Sequence, residues 1–231
     1  MVNRLETEDD VRSRVLAAAT RLFANRGFDG TSVQLIADEV GVTKPAVLHH
    51  FSSKEELRRA VVGNMLDHWQ KTLPNLLLAA TAGDDRFERV IGELRRFFAA
   101  DPDRARLVAR EMLDRPAEVR ALLKNAVRPW LAAVSGYIER GKASGETSPE
   151  VDAEAYVIHI LLLVIGASAS ESVAMAVLDA KNAKETKDAK DGKDGKESKD
   201  AKEARARYER ELLRIARSSL GIGRPRAGVK R

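Results

Sequence analysis

Residues 36–57, IADEVGVTKPAVLHHFSSKEEL, decide the fold of this 231-residue chain. Within the stretch, Ala37, Gly41 and Val47 follow one another with gaps of four and six positions. A small residue lets two helices cross closely, a glycine can adopt the positive φ of a tight turn, and a valine packs the next helix back onto the first. The stretch therefore predicts a helix-turn-helix.

Three pairs of residues mark helix starts around this turn. A serine or threonine oxygen can accept a hydrogen bond from a free N–H of the first turn, a glutamine or glutamate three positions on completes a capping box, and proline fits the first turn. The pairs are Thr31 with Gln34, Thr43 with Pro45, and Ser53 with Glu56. They predict a second helix ending at Gly41, a third running to about Phe51 and a fourth reaching Trp69.

The rest of the chain also has apolar residues at helical spacings of three and four, and no run alternates for long enough to predict a strand. The predicted fold class is all-α: an N-terminal three-helix helix-turn-helix domain, then a larger helical domain for ligand binding and dimerisation. The other predicted helices are 11–25, 87–100, 102–113, 117–140, a segment from Ser148-Pro149 to Leu178, and 204–220. The predicted domains are 1–60, 61–220 and a basic tail, 221–231.

Residues 181–203 form a triplet repeat with lysine at every third position. Lysine at that spacing makes no helix face, and the repeat has no apolar residue larger than alanine to offset the entropy of ordering. We interpret it as a low-complexity loop inside the larger domain.

Composition excludes several classes of function. The chain has no cysteine, which rules out disulfides and thiolate-bound zinc, and it has only four histidines. It lacks the motifs of metalloproteases, serine hydrolases and phosphate-binding loops. We therefore expect no enzyme activity, no cofactor and no metal site.

Charge and hydropathy do not by themselves indicate a partner. The formal net charge is +5, but residues 1–60 hold nine basic and nine acidic side chains, while residues 204–231 hold nine and two. The excess of basic residues therefore lies in the tail.

The longest nearly apolar stretch, 155–169, is shorter than the roughly 20 residues that span a bilayer. With no secretory signal in the first ten residues, we expect a cytoplasmic protein without membrane contact.

The outward face of the third helix is the predicted contact surface for the major groove of DNA, because such a helix reads base edges from its N-terminal turns. The outward candidates are Thr43, Lys44, Ala46, Leu48, His49 and His50, together with Pro45 of the first turn. His49 and His50 point about 100° apart on a helix. We therefore place His49 outward and leave His50 open between a groove contact and a packing role.

The stretch 11–61 resembles the N-terminal DNA-binding domain of the TetR family of transcriptional regulators. The residues that carry the resemblance are LAAATRLFANRGFDGTSV in the first helix and the turn after it, and IADEVGVTKPAVLHHFSSKEEL around the third helix. The resemblance implies an α-helical homodimer that binds double-stranded operator DNA, with an effector pocket in the C-terminal domain. It also implies a dimer contact through the last two helices, here 150–178 and 204–220.

Several functional residues follow from the resemblance. Thr43, Lys44, His49 and His50 fall where the family contacts DNA, and Thr31 and Ser32 fall where the second helix meets phosphates. Lys54 falls where the family places a phosphate-binding lysine. Leu48 replaces a tyrosine that touches the DNA backbone in many members, so it meets either a thymine methyl group or the protein interior. Lysines at helix N-termini oppose the helix dipole, and a phosphate there would remove that conflict.

The aromatic residues of the larger domain are candidates for an effector pocket, although the same residue types fill helical cores. The predicted lining is Trp69, Phe97, Phe98, Met112, Trp130, Tyr137, Tyr156 and His159. His159 stands in an apolar run, where a buried histidine with a hydrogen-bond partner is the alternative to a ligand contact. The predicted function is a repressor that an apolar or amphipathic small molecule releases from a palindromic operator. The alternative is a constitutive architectural DNA-binding dimer.

Overall fold

The structure is a computed structural model that describes residues 8–81, 86–179 and 199–221, and these ranges contain helices and connecting turns but no strand. The all-α prediction is therefore confirmed. The helices are α1 (Glu8–Arg26), α2 (Val33–Val40), α3 (Lys44–His50), α4 (Lys54–Thr81), α5 (Arg86–Ala99), α6 (Pro102–Asp114), α7 (Pro116–Ala126), α8 (Arg128–Ser144), α9 (Ala153–Ala169), α10 (Glu171–Asp179) and α11 (Lys199–Ser219).

The chain divides into two compact units, each built from separate stretches of sequence. The first unit comprises residues 1–75 and 96–128, and the second comprises residues 76–95 and 129–231. The predicted domain boundary at residue 60 falls inside α4 and stays a prediction. Of the predicted basic tail, residues 222–231 lie outside the described residues.

The core of the first unit is built on the apolar stripe of α1. Val15 and Phe23 of that stripe pack with Ile36 of α2, Val47 of α3 and Leu107 of α6, all of them buried. A helix from the middle of the chain thus completes the core of the helix-turn-helix region. Because α6 supplies this fully buried leucine, it is an integral part of the first unit rather than an addition to it.

A second contact fastens α6 to α1. The last carbonyl groups of a helix have no partner within the helix. Here the guanidinium of Arg110 donates to the carbonyl oxygens of Ala24, at 2.7 Å, and Asn25, at 3.1 Å. Arg110 therefore caps the C-terminal end of α1 from another helix.

Several predicted helix boundaries were wrong. The helix predicted over 117–140 is two helices, because Pro129 lacks an N–H and its ring clashes with the carbonyl group four positions earlier. The segment predicted up to Leu178 breaks at Ser170, which separates α9 from α10. Residues 199–203, assigned to the loop, are helical in α11, and the rest of the repeat from 181 lies outside the described residues. In addition, α4 continues past Pro74.

Several helices supply buried residues to the second unit, among them α9 and α11. Val157 and Val164 of α9 are buried, as are Leu212 and Ala216 of α11. The hydroxyl group of Tyr156 donates to the carbonyl oxygen of Ala216 at 2.8 Å, and burial raises the pKa of this phenol. This hydrogen bond joins the two helices.

Among the described residues, no helix taken alone has both the length and the apolar composition needed to cross a membrane. The bent pair formed by α9 and residues 171–178 of α10, with 67° between its two parts, meets the criteria of length and composition.

Candidate nucleic-acid interface

The turn between α2 and α3 depends on Gly41. Its φ is 77° and its ψ is 32°, which is the left-handed backbone conformation. This conformation is unfavourable for residues that have a Cβ atom and is readily adopted by glycine. Its N–H donates to the carbonyl oxygen of Ala37 at 2.9 Å, and the N–H of Val42 donates to the same oxygen at 3.0 Å. A Cβ atom added at Gly41 would meet nothing within 4 Å. The predicted role of Gly41 is confirmed, and the requirement comes from backbone conformation rather than from space.

The inner faces of α2 and α3 fix the angle at which α3 is presented. Ile36 and Ala37 are fully buried, Val40 is nearly so, and Val47 of α3 is 1% exposed. This is the packing that the spacing of Ala37, Gly41 and Val47 predicts. Because one face of the short α3 is buried in this way, its opposite face is held towards solvent.

The first turn of α3 has the predicted cap. The side-chain oxygen of Thr43 accepts a hydrogen bond from the N–H of Ala46 at 3.3 Å, and Pro45 lies in the first turn. Around this cap the side chains of Thr43, Lys44, Pro45 and His49 are exposed, whereas Ala46, Leu48 and His50 are half-buried. The two histidine rings meet edge to face, with centroids 5.5 Å apart. The expected outward placement of His49 agrees with its exposure, and the DNA contacts themselves stay predictions.

The cap of α2 was predicted one residue too early. Ser32 is the N-cap, and its hydroxyl oxygen accepts a hydrogen bond from the N–H of Leu35 at 3.0 Å. Thr31 is buried instead, and its hydroxyl donates to the carbonyl oxygen of Gly27 at 2.8 Å. Gln34 donates to Asp38 and completes no capping box. A phosphate contact by the Thr31 side chain would require it to leave the core, so we retain Ser32 alone as a candidate at this position.

The capping box at the start of α4 is shifted. The hydroxyl oxygen of Ser53 accepts a hydrogen bond from the N–H of Glu56 at 3.1 Å, as predicted. The carboxylate of Glu56 accepts from the N–H of Ser52, at 2.8 Å, rather than from that of Ser53. Hydrogen bonds from Ser52 lower the pKa of this carboxyl group.

Lys54 lies at the first position of α4, as predicted. Its side chain is half-buried, and its ammonium nitrogen lies 4.0 Å from the centre of the Phe28 ring. A cation over an aromatic face is attracted by the ring quadrupole. The ring therefore stabilises a cation at a helix end where the dipole disfavours it.

A buried cluster of charges lies behind this turn of α4, and sequence reasoning missed it. The Arg58 side chain is 3% exposed and forms ion pairs with Glu111 at 2.5 Å, with Glu55 at 2.7 Å and with Glu118. Burial raises the pKa of Glu111, and the hydrogen bond from Arg58 lowers that of Glu118. No local pattern reveals a buried arginine two of whose partners, Glu111 and Glu118, are more than 50 positions away. The cluster ties α4 to α6 and α7 within the first unit.

Two family models match the chain. Residues 15–61 match a model described as bacterial regulatory proteins of the tetR family, and residues 107–187 match one described as a tetracyclin repressor-like C-terminal domain. The chain belongs to the TetR family. The first match spans α2 and α3, the helices whose exposed side chains form the candidate interface.

Individual TetR-family proteins resemble the chain over part of its length. The HTH-type transcriptional activator FasR of Mycolicibacterium smegmatis is 31% identical over 138 residues, which cover 60% of this chain and 63% of FasR. The chain thus matches less than two thirds of that relative's length. The HTH-type transcriptional repressor KstR2 of the same organism is 28% identical over 151 residues, 62% of this chain and 70% of KstR2. The solved structure of KstR2 of Mycobacterium tuberculosis shares the fold, with a TM-score of 0.63 at 16% identity, covering 88% of this chain and 93% of that one.

Four of the residues predicted to line an effector pocket of this TetR-family protein lie in the first unit. Trp69, Phe97 and Phe98 are buried, and Phe97 meets the other two rings edge to face, with centroids 5.3 and 5.1 Å away. Met112 is half-buried. The guanidinium of Arg104 lies 5.0 Å from the Phe97 ring centre. The three rings pack as a core cluster, and their contact with an effector stays a prediction.

The other four lie in the second unit. Trp130 is buried in α8, and Tyr137 is half-buried with the guanidinium of Arg140 6.0 Å from its ring centre. Tyr156 and His159 line a polar groove of about 410 Å³ at the start of α9. No group of three or more metal-binding side chains occurs among the residues that the structure describes.

Proposed function

We propose that this TetR-family protein is a dimeric DNA-binding regulator, and that it represses transcription until an apolar or amphipathic small molecule releases it from a palindromic operator. The observation that carries the proposal is the short α3, whose inner face is buried around Val47 while Thr43, Lys44 and His49 are exposed. This is the presentation that a recognition helix needs to enter a major groove. Such a regulator would act in the cytoplasm, where its operator lies.

Within the proposed interface, phosphate and base contacts have different roles. Lys44, Ser32 and Lys54 would bind phosphates, which contribute affinity without sequence information. His49, the exposed histidine of α3, would contact base edges, which carry the sequence information. Leu48 and His50 are half-buried, so they would support the helix or reach the groove only in part.

A dimer is proposed because two recognition helices can then enter successive major grooves on one face of the duplex. The family contact through the last two helices would involve α9 and α11 here. Ile158 and Leu162 of α9 are each 44% exposed, and Ile215 of α11 is 43% exposed. Large apolar side chains grouped at the surface are typical of a protein contact. Leu162→Glu should therefore give monomers by light scattering, and a dimer of unchanged mass would contradict the contact.

Repression is proposed as the commoner mode of the family, and the relatives include both a named activator, FasR, and a named repressor, KstR2. Release requires that the effector bind the DNA-incompetent arrangement more tightly than the competent one. A hundredfold loss of operator affinity corresponds to about 2.7 kcal/mol of coupling, and operator DNA must weaken effector binding by the same factor.

The decisive experiment selects duplexes from a random-sequence pool with the wild-type protein and compares two variants on the winners. Lys44→Ala should weaken binding to all sequences alike and reduce the slope of log affinity against log salt by about one phosphate contact. His49→Ala should relax the preference at one base pair. If selection enriches no palindrome, the proposed operator binding is wrong. If tight small-molecule ligands leave DNA affinity unchanged, the architectural alternative is favoured.

A further inference from the structure

We infer that Arg115, at the junction of α6 and α7, positions the ammonium group of Lys54 and so contributes to DNA binding without touching DNA. The inference rests on the proposed function, because Lys54 is one of the cations proposed to bind phosphate. It concerns a residue that no motif around the recognition helix includes.

The first link between the two cations is the ring of Phe28. The ammonium nitrogen of Lys54 lies 4.0 Å from the ring centre, and the guanidinium carbon of Arg115 lies 4.7 Å from the same centre. Because both cations lie against one ring, they are closer together than roughly one Debye length, about 10 Å at 0.1 M salt. Each therefore feels the charge of the other, and both depend on the orientation of Phe28.

The second link is Glu55, the residue after Lys54. One of its carboxylate oxygens lies 2.7 Å from Arg58, and the other lies 3.3 Å from Arg115. Arg115 thus neutralises part of a carboxylate charge that stands beside the proposed phosphate-binding lysine. If Arg115 were removed, Glu55 would be less compensated, and its negative charge would oppose an approaching phosphate.

The two links act in the same direction on Lys54. Electrostatic repulsion from Arg115 opposes any movement of the Lys54 ammonium group further onto the Phe28 ring. It favours a Lys54 side chain that extends into solvent. A phosphate at the N-terminus of α4 would relieve both that repulsion and the conflict with the helix dipole. Arg115 therefore keeps Lys54 available for phosphate.

The backbone holds Arg115 where it can do this. Its N–H donates to the carbonyl oxygen of Glu111 at 2.9 Å, and its guanidinium lies 3.3 Å from the carboxylate of Glu118 in the first turn of α7. The residue is thus fixed to the end of α6 and to the start of α7. Movement of this junction would displace the guanidinium from Phe28 and from Glu55 together.

The experiment measures binding of a fluorescent duplex, selected from a random-sequence pool by the wild-type protein, at several salt concentrations. The variants are Arg115→Ala, Lys54→Ala and the double variant. Arg120→Ala is the matched control, because Arg120 is an exposed arginine of the same α7 and its loss changes the net charge equally. Arg115→Gln removes the charge while keeping a long polar side chain, and circular dichroism checks the fold of every variant.

We expect Arg115→Ala and Lys54→Ala each to weaken binding by about three- to tenfold and to reduce the salt slope by about one, the effect of one lost phosphate contact. The double variant should be no weaker than either single variant, Arg115→Gln should behave like Arg115→Ala, and Arg120→Ala should match the wild type. The inference is wrong if Arg115→Ala equals Arg120→Ala, or if its effect simply adds to that of Lys54→Ala. Should Arg115→Ala fail to fold, the comparison of Arg115→Gln with the wild type decides in its place. If the wild-type protein selects no duplex, the proposed function has failed rather than this inference.

Discussion

Arg58 and Glu111 form a buried ion pair between α4 and α6, with the guanidinium nitrogen 2.5 Å from the carboxylate oxygen, although the two residues are 53 positions apart in the chain. Charges taken out of water are stable only when they are paired and their remaining hydrogen-bonding groups are satisfied. Glu55 and Glu118 provide that satisfaction for the guanidinium. Arg58 thus holds the start of α4 to α6 and α7.

Arg58→Met should lower the free energy of unfolding by about 3 kcal/mol, because it leaves the buried carboxylate of Glu111 without its partner. The double variant Arg58→Met/Glu111→Met should recover most of that loss, since it leaves neither charge buried. Urea unfolding followed by circular dichroism measures both. Arg59→Met, at the exposed neighbouring position, is the control and should stay within about 0.5 kcal/mol of the wild type. If Arg58→Met were as stable as the wild type, the ion pair would contribute nothing to the free energy of unfolding.

The same cluster should shape the dependence of stability on pH. The pKa of Glu118 is lowered by its hydrogen bond from Arg58, so its stabilisation is present above the ordinary carboxyl pKa and is lost as pH falls through the lowered value. The pKa of Glu111 is raised by burial, so its ionisation costs stability as pH rises from the ordinary value through the raised one.

Glu118→Gln should therefore flatten the fall in stability on acidification below about pH 4.5, and Glu111→Gln should make stability rise more steeply with pH across the carboxyl range. Urea unfolding at a series of pH values from about 3.5 to 7 gives the slopes. Parallel curves for the wild type and both variants would contradict the assigned directions.

Gly41→Ala should lower the free energy of unfolding by about 1–2 kcal/mol, which is the penalty of a left-handed backbone. The added Cβ should bring no further steric penalty, because no atom lies within 4 Å of it. Gly41→Asn should cost less, since asparagine tolerates this conformation better. Gly30→Ala makes a useful contrast, because its Cβ would lie 2.4 Å from the carbonyl oxygen of Arg26 and the backbone would have to shift. Thermal unfolding measures the loss of stability in each of the three variants. An equal loss for Gly41→Ala and Gly41→Asn would contradict the prediction.

Thr31 and Ser32 should separate into a structural role and an interface role. Thr31→Val removes a buried hydroxyl that donates to Gly27, so stability should fall by about 1 kcal/mol while the salt dependence of DNA binding is unchanged. Ser32→Ala removes the cap of α2, at a similar cost, and should also weaken DNA binding. Equal effects of both substitutions on DNA affinity would argue against this division.

The helix-turn-helix could be predicted because its signals are local. The conformation of Gly41, the cap at Thr43 and the proline after it all act within a few residues, so sequence alone contains them. Thr31 and Ser32 show where this ends: both are capping residue types in adjacent positions. Which of the two caps α2 depends on the carbonyl oxygens of Leu22 and Gly27. These oxygens accept hydrogen bonds from the Thr31 hydroxyl only once α1 has packed.

Residues whose roles depend on distant parts of the chain could not be predicted. In sequence, Arg58 is one of two adjacent arginines on a helix, and only Glu111 and Glu118 distinguish it from the exposed Arg59. Pro129 is a different case, because proline inside a helical pattern ends or kinks the helix, so the break between α7 and α8 does have a local signal in the sequence. For the candidate effector residues, the sequence indicated aromatic content but not that Trp69, Phe97 and Phe98 pack against one another.

The contribution of α6 to the core around α1 bears on how such regulators can be recombined. A chimera joined after residue 60 would transplant the recognition helix without Leu107, which fills the same core, and without Arg110, which caps α1. The recipient would have to supply both from its own α6, in matching shape. The unit that would carry the proposed DNA binding is therefore discontinuous in the gene, residues 1–75 together with 96–128, and a designer who exchanges specificities should graft both segments or redesign the surface between them.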